Sequence, residues 1–210
     1  MKRNDVVKVA KSITTHDKVV NVYNSINPLP RGYRLQYNDP WCASFVSAVF
    51  HQCGYNDIAE CSCLMMMQKA IKLHIFIEDD NYIPSQGDVI LYDWDDNGVG
   101  DCKGIPDHVG IVIDVTDTSI IVREGNKGGV IGHRTLNIGG KYIRGYILPP
   151  YEKNATTSHT EPLNEVYKSV DDVVNAIING KFGNGDNRKE RLYQYTSRSE
   201  ERFSRNAETD

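Results

Sequence analysis

The sequence predicts an α+β fold, helical in its first part and built of short strands in its second. Apolar residues at 42, 45, 46, 49, 50 and 53 keep the three-and-four spacing of one buried helical stripe. Between 87 and 148 the pattern changes to short apolar runs bounded by turn residues, the mark of strands. With 210 residues, 40% hydrophobic content and a net charge of -4, the chain can bury one domain of ordinary size plus a smaller unit.

In chain order, 5–26 reads as one or two short helices, and 27–38 as a Pro/Gly-rich approach to the next. The helix over 41–53 follows Pro40, a residue that helix starts tolerate. A further helix is expected over 63–73, where Met65, Met66 and Met67 fill a core. Strands follow at 87–92, 108–115, 120–124, 130–136 and 142–148, and Pro149-Pro150 ends the sheet. The segments 108–115 and 120–124 read as a hairpin. A three-residue loop, Asp117 to Ser119, sets position 108 opposite 128 and puts His108 on the same sheet end and face as Glu124 and Asn126. A two-residue loop would put them on opposite faces; the three-residue arrangement is the one expected.

The expected domains are 1–151, a linker over 152–164 that is nearly free of large apolar residues, a helical segment over 165–195, and a polar, disordered tail over 196–210. In the helical segment Val170, Val173, Val174, Ile177 and Ile178 form one stripe stopped by Gly180.

Cys42 falls in the first turn of its helix. There the unpaired N–H groups and the positive dipole end favour thiolate, lowering the pKa from roughly 8.5 by one to several units. The same N–H groups can hold an oxyanion. In the expected hairpin geometry His108 takes the proton from Cys42 and later protonates a leaving amine. Glu124 fixes the imidazole tautomer, and Asn126 shares that task. Nucleophile, then histidine, then carboxylate and amide is a cysteine-hydrolase order.

A second constellation, Asp93-Trp94-Asp95-Asp96-Asn97-Gly98-Val99-Gly100-Asp101, matches the start of a calcium loop. Asp93, Asp95, Asn97 and Asp101 supply side-chain oxygens, Val99 a carbonyl and Gly98 the sharp turn. Position 12 falls on Gly104, so the last ligand comes from elsewhere, with Asp107 as the candidate. The chemistry itself needs no cofactor. Cys53, Cys61, Cys63 and Cys102 lack paired metal spacing and read as reduced core or surface thiols. His16, His51, His74, His133 and His159 have no partner pattern. The acidic balance, without a basic cluster and interleaved aromatics, speaks against a nucleic-acid partner. No window approaches the ~20 apolar residues that span a bilayer, and no apolar stretch follows the early Lys2 and Arg3 as in a signal peptide. The expected product is soluble, made in the cytoplasm and not inserted in a membrane.

Trp41-Cys42-Ala43-Ser44-Phe45-Val46, Gly87-Asp88-Val89-Ile90, Asp107-His108-Val109-Gly110-Ile111-Val112 and Glu124-Gly125-Asn126 carry a resemblance. The stretch 37–151 resembles a CHAP domain, the cysteine, histidine-dependent amidohydrolase/peptidase family related to NlpC-type cell-wall peptidases. The resemblance implies a papain-like fold, with N-terminal helices packed on an antiparallel sheet, and cleavage of amide bonds in peptidoglycan. It makes Cys42 the nucleophile, His108 the base, Glu124 the orienting carboxylate and Asn126 its auxiliary. Some members bind calcium near the site. Many carry Gln where this chain has Trp41, which leaves Asn38 and Tyr37 as candidate side-chain donors to the oxyanion. The run from Ile177 to Leu192 is similar to a short cell-wall-binding repeat of phage lysozymes and endolysins. The resemblances imply a phage endolysin, an N-acetylmuramoyl-L-alanine amidase or an endopeptidase, reaching the wall after holin-type release. The alternatives are a bacterial wall-remodelling or effector amidase, and a non-catalytic wall-binding module.

Overall fold

Four α-helices and six strands form over the residues that the computed structural model describes, 1–79, 82–95 and 103–152, all of them within the unit Met1–Asn154. The helices are α1 (Arg3–Ser12), α2 (His16–Tyr23), α3 (Cys42–Gln52) and α4 (Cys63–Lys72). The strands are β1 (Phe76–Ile77), β2 (Val89–Tyr92), β3 (His108–Val115), β4 (Ser119–Lys127), β5 (Val130–Asn137) and β6 (Ile143–Ile147). They make one antiparallel sheet in the order β1-β6-β2-β3-β4-β5. This is the α+β arrangement that the sequence predicts. The two-residue β1, which pairs Phe76 with Ile147, was not legible in the sequence because it is too short to show alternation. The segments expected over 165–195 and 196–210 lie outside the described residues.

Helix α3 is the centre of the molecule. The sequence predicts one buried stripe, but every residue from Cys42 to Phe50 is buried. The reason is that α1, α2 and α4 pack around it while β3 and β4 cover its other side. Small residues Ala43, Ser44, Ser47 and Ala48 permit that crowding. Ser47 is satisfied inside by Glu60, giving its hydroxyl hydrogen to the carbonyl and accepting from the N–H, both at 2.7 Å.

Alternation along the strands sorts the two faces of the sheet. Val89, Leu91, Val109, Ile111 and Ile113 join the helices in the main core. Ile90, Tyr92, Val112, Ile120, Val122 and Tyr146 form a second cluster on the opposite face. One ion pair and one set of charge-assisted hydrogen bonds fasten α1 to this sheet. Buried Asp88, at the start of β2, accepts from Arg3 at 2.6 Å and Tyr82 at 2.7 Å. Arg123 of β4 donates to the carbonyls of Ala10 and Ile13, groups that the helix end leaves unpaired, and to His133.

The hairpin register differs from expectation. Val115 pairs with Ile120 and Asp114 with Ile121, so the connection is longer than the three residues 117–119. A bulge then inserts Ile113, after which Val112 faces Val122 and Gly110 faces Glu124. Position 108 is therefore not opposite 128. The bulge shifts the register by one and restores the parity that the turn would have lost, so His108 and Glu124 still share a face.

Gly125 explains how β4 reaches α3. A β-carbon there would lie 2.8 Å from Phe45 Cγ and 2.9 Å from the Trp41 ring. Gly125→Ala should therefore destabilise the fold by about 1–3 kcal/mol through overpacking, read as a lower denaturant midpoint with an unchanged m-value.

Candidate functional site

Cys42, His108 and Glu124 meet where the N-terminus of α3 reaches the end of the sheet. Trp41 caps α3 without a side-chain hydrogen bond, so Cys42 is the first helical residue. The Trp41 indole stacks on His16 at 4.5 Å, and His16 in turn contacts Tyr37 at 4.6 Å. This aromatic stack seats the start of α3. It also gives His16, which had no partner pattern in the sequence, a structural place. Tyr37 and Asn38, the candidate oxyanion donors, are exposed on the preceding segment.

His108 begins β3 and is 8% exposed. Its Nε2 lies 3.2 Å from Glu124 Oε2, which leaves Nδ1 free, and the ring stands close enough to Cys42 to lower the pKa of its thiol. Glu124 has no solvent exposure. Its carboxylate is gripped by Arg134 of β5, Nε to Oε1 at 2.6 Å and Nη2 to Oε2 at 3.1 Å, a bidentate pair. Gly110, directly across the strand pair, leaves the room this carboxylate needs, since a β-carbon there would come within 3.0 Å of Glu124 Cγ. Arg134 lies 4.9 Å over Trp94 and 5.5 Å over Tyr92. Those two rings stack at 4.9 Å, and both also contact the imidazole.

The four groups set one another's protonation. The hydrogen bond from Cys63 is the largest influence on Cys42; burial opposes it, His108 and the Ala43 N–H reinforce it, and the thiol falls to about 5. Burial pulls His108 down, but its interactions with Cys42 and Glu124 outweigh that and lift it to about 9. Burial likewise pushes Glu124 up, while His108 and Arg134 hold it below the usual carboxylate range. The result is a buried thiolate–imidazolium pair backed by a carboxylate–guanidinium pair. Such a set can deliver a nucleophile and a proton to the same bond.

Asn126 stands beside this group with a left-handed backbone, φ +57°, at a bulge that breaks the β4–β5 register between Glu124 and Lys127. Among the described residues it makes no hydrogen bond to His108; its place is the wall of a cleft of about 300 Å³, shared with Trp94, His108, Lys127, Gly128 and Arg134. Sequence reasoning missed Arg134 and Cys63. Arg134 gave no signal because a cation on a half-exposed strand looks like any solvated residue. Cys63 could have been suspected, since it too opens a helix.

Of the calcium candidates, Asn97, Val99 and Asp101 lie outside the described residues. Asp93 accepts the Asp95 N–H at 3.0 Å, and Asp107 accepts the Trp94 N–H at 2.9 Å. Both carboxylates thus shape the base of the loop as turn acceptors. Among the described residues no group of three metal-ligating side chains converges.

Residues 32–126 match the CHAP domain, and residues 171–197 match the CW_7 repeat. No curated protein and no solved structure matches the chain. The two matches support a cell-wall hydrolase with a CHAP domain, and with it peptidoglycan as the substrate. No helix among the described residues is long and apolar enough to cross a membrane.

The charge state at α3 predicts selective alkylation. Iodoacetamide at about pH 6 should modify Cys42 well ahead of Cys53 and Cys63, whose thiols are pushed up, chiefly by burial for Cys53 and by the bond to Cys42 for Cys63. Equal labelling of the three, read by peptide mass, would contradict a thiolate at this position.

Proposed function

We propose that the protein cleaves an amide bond of peptidoglycan through a thioester on Cys42, as an amidase or endopeptidase of the endolysin type. The observation that carries this reading is the helix-start thiol of Cys42 beside His108, whose ring is in turn hydrogen-bonded to the fully buried Glu124. The CHAP match over 32–126 supports the substrate class, and the CW_7 match supports retention on the wall.

In this mechanism the Cys42 thiolate attacks the amide carbonyl. The N–H groups of the first turn of α3 face the developing oxyanion, and the helix dipole favours charge there. His108 then gives its proton to the departing amine, leaving an acyl-enzyme. Water, deprotonated by the now neutral imidazole, releases the acyl group and restores the thiolate. Glu124 keeps Nε2 protonated and the ring in place, which directs Nδ1 at sulfur. Arg134 acts through Glu124 as a positioning residue. The cleft lined by Trp94, Asn126 and Lys127 receives the substrate chain.

Incubating the protein and its Cys42→Ala variant with Gram-positive peptidoglycan, followed by mass spectrometry, tests the proposal. Fragments with new amine ends are expected from wild type alone and identify the bond. Release by neither, from walls of several chemotypes, would turn the assignment to a wall-binding module.

Activity should hold between about pH 5 and about pH 9. Below that window Cys42 gains a proton and stops being a nucleophile; above it His108 loses the proton that the leaving amine needs. Arg134→Gln should raise the acid limb of kcat/KM by about one pH unit or more, because Glu124 loses the cation that keeps it ionised. Arg134→Lys should recover part of that shift. An unchanged pH profile in Arg134→Gln would remove Arg134 from the positioning role.

We further propose that the loop from Asp93 to Asp101 takes a structural calcium ion, supported by its ligand spacing and by Asp93, which is 6% exposed at the loop base. Isothermal titration at millimolar calcium should give heat, and chelation should lower the melting temperature. Neither effect would remain if the loop is only a turn.

A further inference from the structure

The proposed chemistry uses one thiol, but the site holds two. Cys63 Sγ lies 3.6 Å from Cys42 Sγ, and the two side chains are 8% and 6% exposed. Each is the first residue of its helix, Cys42 of α3 and Cys63 of α4, so two helix N-termini bring their sulfurs together. The sulfurs are in contact without a bond, and forming a disulfide of about 2.05 Å asks for ~1.5 Å of closure. Rotation about the side-chain bonds supplies motion of that order. The remaining described cysteines are placed elsewhere. Cys61 accepts from Arg31 at 3.1 Å, and Cys53 lies past the far end of α3, about 16 Å along the helix from Cys42.

We propose that Cys42 and Cys63 form a reversible disulfide that silences the nucleophile under oxidising conditions and shields it from irreversible damage. The oxidant is a hydroperoxide. Cys42 thiolate attacks its terminal oxygen, the O–O bond breaks, and Cys42 becomes a sulfenic acid while the hydroperoxide leaves as an alcohol, or as water from hydrogen peroxide. Cys63 sulfur then attacks the Cys42 sulfur. The S–S bond forms, the S–O bond breaks, and hydroxide departs with the Cys63 proton as water. An external dithiol reverses the step, and both cysteines return as thiols.

The two steps are ordered by charge. While Cys42 is a thiolate, its hydrogen bond and negative charge, together with burial, hold Cys63 protonated. A sulfenic acid carries no such charge. Oxidation of Cys42 therefore removes the main obstacle to ionising Cys63 and makes it a nucleophile when a resolving thiol is needed. Without oxidation Cys63 remains a donor to the Cys42 thiolate.

The consequence for activity rests on the proposed role of Cys42, but formation of the bond does not, and the test reads both. The full-length protein is treated with hydrogen peroxide and its free thiols are alkylated. It is then digested without reduction by a Glu-specific protease, which cuts at Glu60 between the two cysteines. A variant carrying C53S, C61S and C102S, with only Cys42 and Cys63 left, is treated alongside. The expected result is a peptide bearing Cys42 linked to one bearing Cys63 in both proteins, with hydrolase activity lost on oxidation and regained with dithiothreitol. In C63S the same oxidation should drive Cys42 to sulfinic acid, and reduction should restore less than about a tenth of that variant's own starting activity. Oxidised Cys42 without the linked peptide, or full recovery of C63S, would overturn the proposal. A linked peptide in a protein that releases nothing from cell walls would sustain the disulfide and sink the hydrolase instead.

Discussion

The site is organised around a carboxylate that cannot reach water. Glu124 is fully buried, and burying a lone carboxylate costs several kcal/mol. Its position is tolerable only because Arg134 holds both oxygens and His108 takes a share of one. Much of the local architecture serves that arrangement. Gly110 leaves space beside it, Gly125 lets its strand lie against α3, and β5 sets Arg134 opposite Val122, from where its guanidinium reaches Glu124 diagonally. A side chain at Gly110 would crowd the carboxylate itself, and one at Gly125 would push its strand away from Phe45 of α3 and from Trp41, its cap.

Charge balance extends the same logic to the thiol. Cys42 and Glu124 bring two negative charges, and His108 and Arg134 bring two positive ones, so the buried cluster is neutral as a whole. A neutral cluster with short internal bonds avoids much of the desolvation penalty that each ion would carry alone. It also couples the groups, since moving a proton on any one of them changes what the others prefer. Cys63 stands at the edge of this cluster as a thiol that responds to the charge on Cys42. The aromatic floor of Tyr92 and Trp94 keeps water from the guanidinium face and leaves the cleft open on the side of Asn126 and Lys127.

Helix starts and strand segments were legible wherever local pattern decided them. β3 begins at His108 and ends at Val115 as its apolar run predicts, and α3 begins at Cys42 directly after Pro40-Trp41. Pattern failed where the outcome depended on a neighbour. The single buried stripe expected for α3 became burial on all sides, because the helices packed around it lie too far away in sequence to register in its own periodicity. The hairpin shows the same limit more sharply. A turn of the wrong length would have separated His108 from Glu124, and the bulge at Ile113 brought them back.

The sequence by itself determined the types and order of the chemical groups: a thiol at a helix start, a histidine at a strand start, and a carboxylate followed by Gly-Asn at a strand end. Those are consequences of short-range physics, the helix dipole and strand alternation, which act within a few residues. Only the tertiary structure decided their partners. Arg134 on Glu124, Cys63 on Cys42 and His16 on Trp41 join elements across the fold, where packing and charge compensation act between residues that no local spacing relates.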